Sequence, residues 1–198
     1  MKNLLVTGGC GFIGSNFINY YFYENKDINI YNLDAMYYCA NEKNIKEVIR
    51  NSDRYKLIKG NLCSFDLLSH ILEAYKIDTI IHFAAQSHVD DSFTNSLQYT
   101  KDNILGTHNL LEICRLHCPT LQKFIHVSTD EVYGESMNFV HEQHKTEQSI
   151  LCPTNPYAAT KAGAELIAQS FHHSFNMPII ITRGNNVYGP NQKENNPY

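Results

Sequence analysis

The sequence predicts an α/β fold, a doubly wound parallel sheet with helices on both faces. Three observations predict it. Short apolar runs alternate with longer helical stretches along the 198 residues. A glycine-rich turn joins the first apolar run to the first helix, and chemistry-bearing residues recur at the ends of the apolar runs, where such a sheet binds its ligands. The alternation places strands near 2–6, 28–33, 55–59, 79–83, 123–128 and 178–183, and helices near 12–24, 41–50, 65–76, 95–117 and 155–176. Right-handed crossovers connect strands of this kind.

The first element, Lys2-Asn3-Leu4-Leu5-Val6, reads as a short buried strand, and Thr7-Gly8-Gly9-Cys10-Gly11-Phe12-Ile13-Gly14 turns it into an apolar helix. Glycine tolerates positive φ and lets the backbone approach a pyrophosphate, whose charge sits at a helix N-terminus. Turn glycines alone say little, but a strand before and a helix after make this a Rossmann-like dinucleotide turn. The second strand ends at Asp34, about twenty residues past the last glycine, where an acid accepts adenosine ribose hydroxyls. The competing role for Asp34 is a cap of the turn Asp34-Ala35-Met36. No arginine follows at once to take a 2′-phosphate, so the expected cofactor is NAD rather than NADP. Ala84-Ala85-Gln86, after the fourth strand, and Ser128-Thr129, after the fifth, would meet Gly8 and Asp34 at one sheet edge. Tyr37 and Tyr38 are aromatics beside the adenosine site.

The fifth run leads into Ser128-Thr129-Asp130-Glu131-Val132-Tyr133-Gly134. A polar segment over 134–153, containing Glu142-Gln143-His144, then loops above the edge, and Thr154-Asn155-Pro156 supplies a cap and a first-turn proline for the next helix. Tyr157 and Lys161 fall i,i+4 on that helix, on one face a turn apart. An ammonium beside a phenol favours the phenolate, which takes the proton of an alcohol while hydride leaves the carbon. Two further carboxyls, Asp130 and Glu131, point to a step beyond oxidation. Their plain alternative is the start of a solvated turn, which the cofactor turn outweighs.

Composition narrows the field. A net charge of −4 with dispersed Lys and Arg offers no face for nucleic acid. No run is apolar and long enough to span a membrane, and the chain enters a strand within a few residues, so neither a membrane span nor a signal peptide is expected. Six cysteines, at 10, 39, 63, 114, 118 and 152, lack zinc-like spacing and read as thiols of a reducing cytoplasm. The ten histidines form no His-x-x-x-His pair, so no metal is expected. His82, His88 and His126 read first as structural histidines.

With these residues in hand, the chain resembles the extended short-chain dehydrogenase/reductases. More narrowly, it is similar to the nucleoside-diphosphate-glucose 4,6-dehydratases of the dTDP-glucose and UDP-glucose type. The likeness runs through Thr7–Asn16, His82–Asp90, Ser128–Gly134, Tyr157–Lys161 and Arg183–Pro190. The glycines and Tyr-x-x-x-Lys are common to the wide superfamily; Thr129-Asp130-Glu131 is the specific part, since related 4-epimerases normally lack the acid pair. The resemblance implies that Tyr157, helped by Lys161 and Thr129, deprotonates the glucose 4-hydroxyl as hydride passes to NAD. Glu131 then removes the C5 proton, protonated Asp130 assists loss of the 6-hydroxyl as water, and hydride returns to C6. The product is a 4-keto-6-deoxy sugar nucleotide of deoxysugar (rhamnose-type) biosynthesis.

The same resemblance implies cofactor contacts at Gly8, Gly11, Phe12, Ile13, Gly14, Asp34, Asn61, Leu62, Ala84, Ala85, Tyr157 and Lys161, and substrate contacts at Ser87, His88 and Asn186. Asn103 either helps hold the lysine, as in the superfamily, or is a plain helix polar residue. Two departures stand out. Asn61 occupies the place of a usual aspartate at the adenine, and the sequence stops at Tyr198 where relatives continue into a C-terminal substrate lobe. The expected organisation is a NAD-binding and catalytic domain over 1–183 with only the start of the substrate region at 184–198. A chain of this extent is expected to fold and bind NAD with negligible turnover. The partner is a nucleoside-diphosphate-glucose, and a homodimer is allowed. A 4-epimerase and a NAD-binding module without turnover are the alternatives.

Overall fold

Six parallel strands form one sheet in the order β3-β2-β1-β4-β5-β6. They are β1 (Asn3–Thr7), β2 (Asn29–Asp34), β3 (Tyr55–Lys59), β4 (Thr79–His82), β5 (Lys123–Thr129) and β6 (Ile179–Gly184). The computed structural model describes residues 1–135 and 144–192. Glu142 and Gln143 of the expected loop, and Tyr198, lie outside the described residues.

The inner strands β1 and β4 bury both faces, which is why their runs read as apolar rather than alternating. Leu4, Leu5 and Val6 of β1 are all wholly buried. On one face Leu5, Leu33, Ile80 and Phe124 pack against α3 (Phe65–Ala74), α6 (Gly106–His117) and α7 (Pro156–Phe175). On the other, Leu4, Val6, Ile30 and Ile81 pack against α1 (Phe12–Glu24) and α2 (Glu47–Arg50). The sheet is doubly wound from β1, whose two neighbours are β2 and β4. Strand order reverses between β1 and β4, and above the carboxyl ends at that switch point a crevice opens. β6 pairs with β5 alone among the described residues, and along it half-buried and exposed residues alternate.

All six expected strands are present within one or two residues of their places. Two expected helices differ. The one over 41–50 is a 3-10 turn (Glu42–Asn44) followed by the single turn of α2. The long one over 95–117 begins earlier and is broken: α4 (Val89–Thr94), α5 (Ser96–Tyr99), a π-helical turn (Thr100–Leu105) and α6. The break falls at Asn95, whose φ of −134° and ψ of 40° are not helical. The π turn accommodates one extra residue and turns Asn103 inward, where it is 1% exposed. A further 3-10 turn, Asp130–Tyr133, follows β5 directly.

Candidate active site

A cleft of about 250 Å³ opens at the switch point. All twelve residues expected to hold the cofactor lie in its wall, together with Ser87.

One end is the glycine turn. Gly8 has φ +72°, its N–H donates to the Leu33 carbonyl at 2.9 Å, and a Cβ there would lie 2.7 Å from the Ala84 backbone. A Cβ on Gly14 would run into the Gly8 carbonyl oxygen, so α1 can sit this close to the turn only without one. Gly11 caps α1 without a side-chain acceptor and the first turn carries no acid, which leaves N–H groups and the positive end of the helix dipole to a ligand anion. Asn32, wholly buried in β2, accepts from Gly9 N–H at 3.0 Å and donates to the Tyr55 hydroxyl at 2.9 Å. It fixes the turn from below, and the local sequence pattern did not single it out.

Asp34 is the turn cap weighed for it, and it also lines the cleft. Its carboxylate accepts from Met36 N–H at 2.8 Å, as a turn cap, and from Cys10 N–H at 2.8 Å, while lining the cleft. Burial pushes its carboxyl up from the ordinary value, and the two N–H groups oppose that push. Asn61 donates to the Tyr37 hydroxyl at 2.7 Å and accepts from Cys63 N–H at 2.7 Å, so its carbonyl has one lone pair left for a ligand. Tyr37 shares the cleft wall, whereas Tyr38 faces a neighbouring depression beside Tyr99. Ser128 Oγ, in a residue 8% exposed, and Asp102 Oδ1 have no hydrogen-bond partner and lie in cleft-lining residues. Buried polar atoms without partners at a cleft mark places where a ligand completes the bonding.

The other end holds Tyr157 and Lys161, on adjacent turns of α7. Lys161 is 4% exposed and donates from Nζ to the Val127 carbonyl at 2.8 Å. Burial pulls its ammonium down to about 8, against the supporting charge of Glu165. Tyr157 is pushed up to about 12, by burial first and then by the charge of Glu131; a hydrogen bond with Thr129 opposes the push. The lysine support expected for a phenolate is not what acts on Tyr157 in this arrangement: the ammonium is bonded to a carbonyl, and the charges acting on the phenol are the negative ones of Glu131 and Asp130.

Thr129, Asp130 and Glu131 stand beside Tyr157 rather than in the cleft wall. Thr129 caps the 3-10 turn, accepting from Glu131 N–H at 3.2 Å and donating to Asp130 Oδ1 at 3.3 Å. Asn155, the cap of α7, accepts from Ala158 N–H at 2.8 Å and donates to Glu131 Oε2 at 3.1 Å. The Asn-Pro pair signals a helix start in the sequence, but not this bond to the acid.

Asn103 does not touch Lys161. It accepts from Gln86 N–H at 2.7 Å, donates to the Gln86 carbonyl at 3.0 Å, and donates to Thr160 Oγ1 at 2.9 Å. It therefore pins the strand-end segment to the residue before the lysine. His82 is structural, as expected: Thr7 Oγ1 lies 2.6 Å from Nδ1 and Thr107 Oγ1 2.9 Å from Nε2. Because the Thr107 hydroxyl donates to the Asn103 carbonyl at 2.6 Å, it accepts from the ring, which places the proton on Nε2. His88 caps α4 and lies 3.7 Å from Asp91, outside the cleft wall. Asn186 sits in the exposed segment after β6 and is not gathered into the cleft either.

A family model described as GDP-mannose 4,6 dehydratase matches residues 5–198. The chain belongs to that family. Its 198 residues are 50% identical over 192 residues to a trifunctional UDP-glucose 4,6-dehydratase/UDP-4-keto-6-deoxy-D-glucose 3,5-epimerase/UDP-4-keto-L-rhamnose-reductase of Arabidopsis thaliana, covering 96% of this chain and 28% of that protein. A dTDP-D-glucose 4,6-dehydratase of Dictyostelium discoideum is 48% identical over 199 aligned positions, with 97% of this chain and 45% of the relative covered. The crystal structure of a dTDP-glucose 4,6-dehydratase from Streptomyces venezuelae with NAD and TYD bound superposes with a TM-score of 0.87 at 37% identity, covering 96% of this chain and 57% of that one. The chain thus spans from about a quarter to somewhat over half of the length of these relatives. The six-stranded unit lies within that shared part. Among the described residues no helix is long and apolar enough to cross a membrane, and no three His, Cys, Asp or Glu side chains gather as metal ligands.

Proposed function

We propose that this chain carries the cofactor site and acid–base groups of a NAD-dependent 4,6-dehydratase. Its substrate is a nucleoside-diphosphate-glucose of the dTDP or UDP type, and its product the 4-keto-6-deoxy sugar nucleotide of rhamnose-type biosynthesis. On this reading residues 1–183 form the NAD-binding and catalytic domain and 184–198 open the substrate region, in a cytoplasmic protein for which a homodimer is the oligomer to test. The observation that carries it is one cleft with a glycine turn and Asp34 at one end and Tyr157 and Lys161 at the other, with the Asp130–Glu131 turn beside Tyr157.

The N–H groups at the start of α1 would hold the pyrophosphate, Asp34 the adenosine ribose hydroxyls, and Ser128 and Asn61 would complete polar contacts along the cleft. NAD, when bound, supplies the acceptor for hydride from C4 and the donor that returns it to C6. Tyr157, once ionised to its phenolate, takes the proton of the 4-hydroxyl, and at neutral pH the Lys161 ammonium, with its value of about 8, remains mostly charged beside it. Glu131 is held by Asn155 through Oε2, which leaves Oε1 to take the proton from C5. Asp130 gives its proton to the departing 6-hydroxyl, which leaves as water. Asp130 in its protonated form has a second effect: it removes one of the negative charges that oppose ionisation of Tyr157.

Calorimetry with NAD and NADP tests the cofactor, with tighter binding of NAD expected because Asp34 repels a 2′-phosphate. An assay for the 4-keto-6-deoxy product from dTDP-glucose and UDP-glucose tests the chemistry. Preference for NADP, or a 4-epimer as product, would sink the reading.

A further inference from the structure

The guanidinium of Arg183, in β6, divides its donors between the two halves of the site. Toward α7, Nε and Nη2 both reach Glu165 Oε2, at 3.0 and 2.8 Å, and Glu165 is wholly buried one turn beyond Lys161. On its other side Nη1 donates to the Tyr133 hydroxyl oxygen at 2.7 Å and to the Glu147 carbonyl at 3.0 Å. Tyr133 closes the 3-10 turn that begins with Asp130 and Glu131, and its own hydroxyl donates to the Thr146 carbonyl at 2.9 Å. The guanidinium carbon stands 4.9 Å from the Tyr133 ring centre. Asn155 joins Glu131 to the N-terminus of α7, and Arg183 joins the far end of the same turn to the middle of that helix.

We propose that Arg183 is a positioning residue of this site, clamping the turn that carries Asp130 and Glu131 to the helix that carries Tyr157 and Lys161. The functional weight of the clamp rests on the dehydratase reading above; the clamp itself rests on geometry. A planar fork suits the task, because a lysine ammonium at this position could satisfy Glu165 but not reach Tyr133 and Glu147 as well. The clamp also bears on charge, because Arg183 is the cation paired with the buried Glu165, and Glu165 is the group whose charge supports the Lys161 ammonium. The groups facing Lys161 are Tyr157 and Glu165 on its own helix, His82 on β4 and His126 on β5. Both histidines are held neutral by burial, so the support for the ammonium comes from Glu165.

The test uses the whole chain in the variants Arg183→Met, Arg183→Lys and Tyr133→Phe, with two nuclear magnetic resonance readouts. One is the titration midpoint of labelled Lys161. The other is amide exchange at Gly134, bonded to the Glu131 carbonyl, and Cys152, bonded to the Val132 carbonyl, with Gly8 as a distant reference. In Arg183→Met the Lys161 midpoint shifts by about one pH unit, and Gly134 and Cys152 exchange about tenfold faster while Gly8 is unchanged. Arg183→Lys and Tyr133→Phe keep the midpoint and still release the two amides. An unchanged midpoint in Arg183→Met overturns the proposal, as does equal acceleration at all three amides, which would mark a merely stabilising residue. Should Arg183→Met fail to fold, unchanged exchange at Gly134 and Cys152 in the other two variants overturns it. No readout needs cofactor or sugar nucleotide, so failure of the dehydratase reading, seen as a parent that does not bind NAD, is scored separately.

Discussion

Acid should unfold this protein through the histidines beneath the cleft. His82 is wholly buried, and burial, aided by the charge of Lys161, holds its imidazolium down to about 3. In the unfolded chain a histidine titrates near its ordinary value of about 6.5. The folded value is therefore depressed, and unfolding takes up a proton. The resulting stability is fully present above about pH 6.5 and is lost as pH falls from there toward 3. At about 1.4 kcal/mol per pH unit, His82 alone removes about 1 kcal/mol between pH 5.5 and 4.5, and a few kcal/mol over the whole range. That is a large share of a typical stability of about 5–15 kcal/mol. His126, also wholly buried and held well below its ordinary value, adds a loss of the same sign. The perturbation is His82→Gln, which removes the titrating group and keeps a donor for Thr107. The assay is urea unfolding of parent and variant at pH 7.0, 5.5 and 4.5, in which changes from other groups cancel in the difference. At pH 7.0 the variant should be less stable by about 1–2 kcal/mol, because the Thr7 hydroxyl loses its acceptor. Between pH 5.5 and 4.5 that gap should close by about 1 kcal/mol. A gap that stays constant over that interval would refute the reasoning, and with it the assignment of His82 as a neutral ring with its proton on Nε2.

Four further outcomes follow from the geometry. Gly8→Ala combines a positive φ with a Cβ against the Ala84 backbone and should cost about 2–4 kcal/mol, read from the urea midpoint; a loss under about 1 kcal/mol would show that the turn yields. Asn155→Ala removes the cap of α7 and should lower stability by about 1 kcal/mol in thermal unfolding, whereas Asn155→Asp keeps the cap but sets a second carboxylate against Glu131. In a polypeptide that turns over, Glu131→Gln should stop exchange of the C5 proton with deuterated solvent while oxidation at C4 persists, and exchange at the parental rate would remove Glu131 as the base. Tyr157→Phe in the same polypeptide should cut the first oxidation by about two to four decades.

The parts legible in the sequence are those set by local backbone limits. Gly8 and Gly14 sit where no Cβ fits, and the spacing to Asp34 is the length of one βαβ unit, so both could be read without the fold. The breaks in the helix over 95–117 could not. Its apolar spacing continues through Asn95, and the π turn exists because Asn103 must meet Gln86 and Thr160, the latter 57 positions away. Helix α4 was missed because Val89–Thr94 is mostly polar and carries no apolar period. The spacing of Tyr157 and Lys161 predicts a shared face, and they share it, but spacing says nothing of the Val127 carbonyl that takes the ammonium. Asn32, Asn155 and Arg183 belong to the same class: each acts through a partner that only the folded chain brings near.

The two margins of the sheet are unlike. The β3 margin carries Lys56, stacked on Tyr75, and Lys59, paired with Glu42, charges of the kind that discourage an incoming strand. The β6 margin offers Ile179, Ile180 and Ile181 in succession, with Ile180 46% exposed, before the first charge at Arg183. Among the described residues, β6 is thus the apolar margin at which a further strand would find backbone partners, and β3 the charged margin that turns one away.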